Sequence, residues 1–123
     1  KMENEGRKIL HLPRFKASVT CVRVPVYRAH SVAVSAEFEE PVSVEKAHQI
    51  LSHAPGIELK DEPTKNVYPL PLTVAGQYNC QVGRIRKDCA FENGLCFWVA
   101  GDQLLKGAAL NAVQIAEELV KTF

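Results

Sequence analysis

Two side chains near the start of the sequence have the types and spacing for recognising and protonating a small acid. Arg23 lies in Thr20-Cys21-Val22-Arg23-Val24-Pro25, and His30 follows in Val26-Tyr27-Arg28-Ala29-His30-Ser31. A guanidinium among valines is costly to bury without a partner. It is either an edge-strand arginine whose stem lies on apolar surface while its head reaches water, or an anion anchor. In the second role its two parallel N–H donors match a carboxylate in a way lysine does not. An imidazole ordinarily titrates near neutrality and suits general acid–base work. A histidine that merely ends a strand is the commoner alternative. An arginine before the proline bend and a histidine after it can converge on one small anion.

Other polar residues offer less. In Gly101-Asp102-Gln103-Leu104-Leu105-Lys106-Gly107-Ala108-Ala109 the spacing does not match a phosphate-binding P-loop. Asp102 is placed to cap the helix that follows, and the Gln103 amide to face a cleft. Arg84 and Arg86 fall on one strand face by period two, a solvated or interfacial face or else a phosphate patch. They lack the aromatic interleaving of a single-strand nucleic-acid surface. Cys21, Cys80, Cys89 and Cys96 are too widely spaced for a zinc site, and none of His11, His30, His48 and His53 pairs with them. No metal is expected, and Cys21 and Cys96 are expected as small core residues.

The elements that must position these groups fit one domain. The chain has 123 residues, 46% hydrophobic and 24% charged, with Lys+Arg 15 against Asp+Glu 14. The near-neutral balance gives no global case for nucleic-acid or membrane binding, and no run approaches the ~18 apolar residues of a membrane span. Residues 17–25 are rich in β-branched types and predict a strand ending at Pro25. Residues 30–38 alternate, with His30, Val32, Val34, Ala36 and Phe38 on one face. Ser43 predicts the N-cap of a helix over 44–53, stopped by Pro55-Gly56. A short strand follows over 57–59, then a long connection over 60–81 of the kind that is functional or touches a partner. Strands over 82–87 and 95–100 flank a turn at Asn93-Gly94, and a helix over 104–120 carries a broad apolar face.

This order predicts an α+β domain with a mixed, largely antiparallel sheet and helices on one face. Residues 95–99 are continuously apolar, which implies a strand covered on both sides. With helices on one face only, the other face should meet a second domain or subunit. Lys1 and Met2 enter a charged, helix-prone segment with no capping residue, so the chain is expected to be a piece of a larger protein.

Several blocks in order resemble the C-terminal catalytic and dimerisation domain of the aspartate-semialdehyde dehydrogenase family. They are Lys1-Met2 through Lys8-Ile9, Cys21-Val22-Arg23-Val24-Pro25 with Ala29-His30-Ser31, Val82-Gly83-Arg84-Ile85-Arg86-Lys87-Asp88, and Gly101-Asp102-Gln103-Leu104-Leu105-Lys106-Gly107-Ala108-Ala109 with Asn111-Ala112-Val113-Gln114-Ile115-Ala116-Glu117. The resemblance implies NADPH-dependent reduction of L-aspartyl 4-phosphate to L-aspartate 4-semialdehyde and phosphate, on the route to lysine, threonine and methionine. It implies that Arg23 binds the substrate α-carboxylate and that His30 is the general acid/base. Lys1 would lie in the anion pocket and Gln103 near the nicotinamide carboxamide. It also implies a fold like the C-terminal domain of glyceraldehyde-3-phosphate dehydrogenase and a homodimer formed through the sheet. With no membrane-span run and no signal-like start, the expected compartment is cytoplasmic, with a plastid address left open. The nucleophilic cysteine and the glycine-rich cofactor fingerprint would belong to an N-terminal NADP-binding domain absent from the chain, so residues 1–123 alone are expected to be inactive. The alternatives are an N-acetyl-glutamyl-phosphate reductase-like domain and a dimerisation module without catalytic role.

Overall fold

The computed structural model describes residues 2–14 and 16–122. A helix α1 (Met2–Ile9) is followed by an irregular stretch up to the first strand. Then come β1 (His30–Glu37), α2 (Val44–Leu51), β2 (Ile57–Leu59), a 3-10 turn (Pro63–Lys65) and a single-turn helix α3 (Pro71–Val74). The chain continues through β3 (Cys80–Lys87), β4 (Gly94–Gly101), a π-helical turn (Leu105–Ala109) and α4 (Leu110–Lys121). The sheet order is β1-β4-β3-β2, antiparallel except for the β2–β3 pair. It is the expected mixed, largely antiparallel α+β arrangement.

The core forms where α2 crosses the sheet. Ser43 caps α2 by accepting a hydrogen bond from the Lys46 N–H, as the sequence pattern requires. Ala47 then packs with Val82, Ile85 and Leu95, surrounded by Val42, Val44, Leu51, Ile57, Leu59, Phe97 and Val99. Alternation puts Leu95, Phe97 and Val99 of β4 on this face, opposite Ala36, Val34 and Val32 of β1. On the other face Val74 of α3 is fully buried against Ala100 and Ala29.

Val82 and Ile85 share the core although they are three residues apart, because β3 carries a bulge. The register breaks between Gly83 and Arg86, and Arg84 adopts a left-handed φ of 57°. The extra residue sends Ile85 inward and places Arg86 opposite Cys96. The expected period-two pairing of Arg84 with Arg86 on one face is therefore overturned. Asp61, its side chain 2% exposed, satisfies the bulge: its Oδ1 accepts from the Arg84 N–H and its Oδ2 from the Ile85 N–H. His48 Nε2 lies 2.8 Å from Asp61 Oδ2, and the Arg84 guanidinium sits over the Tyr68 ring.

Two further expectations fail. Residues 17–25 form no strand, and Val22 and Val24 are exposed. β-branched residues favour a pleated surface only where a partner strand and a covering face exist, and this stretch has neither. The last helix begins its α-helical turns at Leu110 rather than at 104, after the π-helical turn. Its apolar side is open: Val113, Ile115, Leu119 and Val120 are each more than half exposed. In β4, Cys96 to Val99 are half-buried, so this chain covers them only in part.

Gly83 marks a close backbone approach. A β-carbon there would lie 1.9 Å from the Lys60 carbonyl oxygen and 2.8 Å from Pro69 Cδ. At Gly76, φ is +80° but nothing lies within 4 Å of the β-carbon position. Gly83→Ala is expected to destabilise the domain by about 3 kcal/mol or more, from overpacking. Gly76→Ala should lose only roughly 1–2 kcal/mol, from left-handed strain. Urea unfolding of both variants checks the ranking, and equal losses would contradict it.

Candidate functional site

His30 opens β1 directly opposite Gly101, the last residue of β4. Its ring is exposed, and the backbone that delivers it is unusual. Ala29 has φ 81°, a left-handed conformation costly for a residue with a β-carbon, and is only 4% exposed. Its N–H donates to Gln103 Oε1 at 2.8 Å, so the structure brings Gln103 beside the residue that precedes His30. The glutamine carbonyl is engaged there, which leaves its NH2 group as the donor available to a ligand.

Asp102 lies beneath this junction and is fully buried. Its Oδ2 sits 2.7 Å from Arg28 Nε and accepts the Gly76 N–H at 2.6 Å. Its Oδ1 accepts the Leu104 and Leu105 N–H groups at 2.9 and 3.2 Å, the capping role expected from sequence. Burial by itself pushes the carboxyl upward. The donors from Gly76, Leu104, the Arg28 side chain and Leu105 outweigh it and hold Asp102 below the ordinary carboxylate value. Neither the Arg28 nor the Gly76 tie had a sequence signal, because the partners are 74 and 26 residues from Asp102 with nothing local linking them.

Arg23 is exposed in the irregular stretch before β1, seven residues from His30. No hydrogen bond or ion pair links it to His30, Gln103 or Asp102. Lys1 lies outside the described residues. A wide, open hollow bounded by Ile57, Glu58, Gly76, Gln77, Tyr78 and Asn79 includes none of the predicted site residues. Among the described residues, no three His, Cys, Asp or Glu side chains gather closely enough to hold a metal ion, and no helix is long and apolar enough to cross a membrane.

A second polar cluster, missed from sequence, sits on the face opposite α2. Ser35 and Cys96 pair across β1 and β4, and both donate to Asp88 Oδ2, the thiol at 3.1 Å. Asp88 Oδ1 accepts the Ala90 N–H at 2.8 Å. The hydrogen bonds from Ser35, Ala90 and Cys96 lower the Asp88 carboxyl to about 2. The same carboxylate, together with burial, pushes the Cys96 thiol up. Cys96 is therefore held protonated and is a poor nucleophile.

Residues 1–106 match the family described as semialdehyde dehydrogenase, dimerisation domain. The chain is similar to the aspartate-semialdehyde dehydrogenase of Aquifex aeolicus, 51% identical over 121 residues that cover 98% of this chain and 36% of that protein. The Bacillus subtilis enzyme of the same name is 46% identical over 122 residues, covering 98% and 35%. Among solved structures, aspartate semialdehyde dehydrogenase II of Vibrio cholerae, complexed with ASA, superposes with a TM-score of 0.85 at 39% identity, over 99% of this chain and 36% of that one. The chain spans about a third of the length of the curated relatives it matches.

Two outcomes follow from the Asp88 cluster. The folded carboxyl titrates below its ordinary value of 3.8, so its contribution to stability is complete above about pH 4 and is lost as pH falls through about 2. Asp88→Asn should flatten the acid-unfolding curve in that window, and an unchanged curve would contradict the assignment. In the same variant, alkylation of Cys96 should accelerate at neutral pH, while exposed Cys89 keeps its rate; mass-spectrometric mapping reads both.

Proposed function

The chain belongs to the semialdehyde dehydrogenase dimerisation-domain family, and from that premise we propose that it is the C-terminal substrate-binding and dimerisation domain of an NADP-dependent aspartate-semialdehyde dehydrogenase. The complete enzyme reduces L-aspartyl 4-phosphate to L-aspartate 4-semialdehyde and phosphate, on the cytoplasmic route to lysine, threonine and methionine. The observation that carries the reading is the junction at His30. An exposed imidazole stands at the mouth of β1, and the residue before it is hydrogen-bonded to the side chain of Gln103. Relatives that cover this whole region carry the same enzyme name.

Each residue has a task that its chemistry allows. His30 takes the proton from the attacking thiol and exchanges a proton with the oxygen of the tetrahedral adduct. Arg23 offers a bidentate fork to the substrate α-carboxylate, and Lys1 supplies positive charge for the phosphate. The free NH2 of Gln103 fits the carboxamide oxygen of a nicotinamide. NADPH supplies the hydride when bound. The nucleophilic cysteine belongs to the N-terminal NADP-binding domain: Cys96 is held protonated by Asp88, and none of the four cysteines here has the nucleophile's sequence context. The sheet face bearing Ala33 and Trp98, which lie opposite each other, is the surface through which two copies pair.

In a complete enzyme carrying this domain, His30→Ala should lower kcat by about 10²–10⁴. Arg23→Lys should chiefly raise KM, since the fork is lost while the charge stays. Steady-state kinetics in the direction of NADP reduction, with aspartate semialdehyde and phosphate, checks both. Unchanged constants in either variant would remove that residue from the site. Turnover by residues 1–123 alone would overturn the division of labour.

A further inference from the structure

We propose that Asp102 is a positioning residue for His30: by holding Arg28 it fastens the left-handed Ala29 turn that sets the direction in which the imidazole leaves the strand. The proposal deepens the proton-transfer reading of His30 and rests on it.

The argument begins with strain. A left-handed alanine is unfavourable, so it persists only where its surroundings over-determine it. Three constraints converge on Ala29. Its N–H is held by Gln103 Oε1. Its methyl group is buried against Val74 and Ala100. The residue before it is held by Asp102 through the 2.7 Å contact with Arg28 Nε. Asp102 and Gln103 are consecutive and leave β4 together, so one short segment grips both Arg28 and Ala29. Ala29 is the last residue before the ladder takes hold of the chain at His30 opposite Gly101, so a change in its torsions is taken up where the imidazole leaves the strand end.

Asp102 suits the task because it is itself held from several sides. It is fully buried and anchored by N–H groups from two other places, Gly76 after α3 and Leu104 and Leu105 at the start of the last helix. Each of these groups is a donor, so the site requires an acceptor on both oxygens. An asparagine there would turn an NH2 group toward at least one donor. Arg28 is the member that can be removed alone, since its side chain is 38% exposed and the backbone ties of Asp102 survive its loss.

The test uses a complete enzyme carrying this domain, with Arg28→Gln as the main variant and Asp102→Asn as the second. Arg28→Gln should lower kcat about 10-fold to 100-fold, the scale of an ångström-sized misplacement of a catalytic group. KM should change little, because the substrate's anchor is untouched. In a His30→Ala background the same substitution should have no further effect on kcat, because the positioned group is gone. A crystal structure of Arg28→Gln should show Ala29 leaving the left-handed region and the His30 ring displaced. Losses that multiply with His30→Ala, or a variant with Ala29, His30 and kcat all unmoved, would overturn the proposal. Should His30→Ala itself leave kcat intact, the proton-transfer reading fails. The crystal structure of Arg28→Gln then decides the positioning claim by itself.

Discussion

A charge taken wholly out of water is tolerated only when its partners replace what water supplied, and the Asp102 carboxylate is this chain's main instance. Its partners come from three segments far apart in sequence: an ion pair from the approach to β1 and N–H donors from the end of α3 and the start of the last helix. The sheet alone would align β1 with β4 but would not dictate how the chain enters β1. That entry is where the candidate site lies. The left-handed Ala29, the Gln103 contact and the exposed His30 ring are consequences of one buried acid that cannot move without leaving several donors unpaired.

The same device appears twice more. Asp61 accepts both N–H groups of the β3 bulge, and Asp88 gathers Ser35, Cys96 and the Ala90 N–H at the turn between β3 and β4. In each case an aspartate satisfies backbone or side-chain donors at a place where the sheet ladder cannot, and buried donors must be satisfied somewhere. The apolar surface is less complete. Exposed valines before β1 and the open side of α4 fit a domain that meets further protein, in keeping with a chain that spans about a third of its relatives.

Legibility followed the range of the interactions. The Ser43 cap, the alternation of β1 and the β3–β4 pair are local patterns, and each was readable from residue spacing. The strand expected over residues 17–25 failed because β-branched composition reports suitability for a sheet and not the presence of a partner. The Arg84 bulge broke a period-two reading that was locally sound. Ala29 gave no warning of a positive φ, since glycine or asparagine is the usual sign. The ties of Asp102 to Arg28 and of Asp88 to Ser35 span 74 and 53 residues, and only the folded chain brings those partners together. Asp102 as a helix cap was readable because that part of its role is local.

The claim on which the functional account depends is that Arg23 and His30 act on one bound acid, above an intact Arg28–Asp102 pair. A crystal structure of the complete enzyme with aspartate semialdehyde bound tests it most directly. The account predicts the Arg23 guanidinium on the ligand carboxylate and a His30 ring nitrogen within hydrogen-bond reach of its reacting carbon's oxygen. A ligand seated elsewhere, with the two side chains facing separate surroundings, would contradict it.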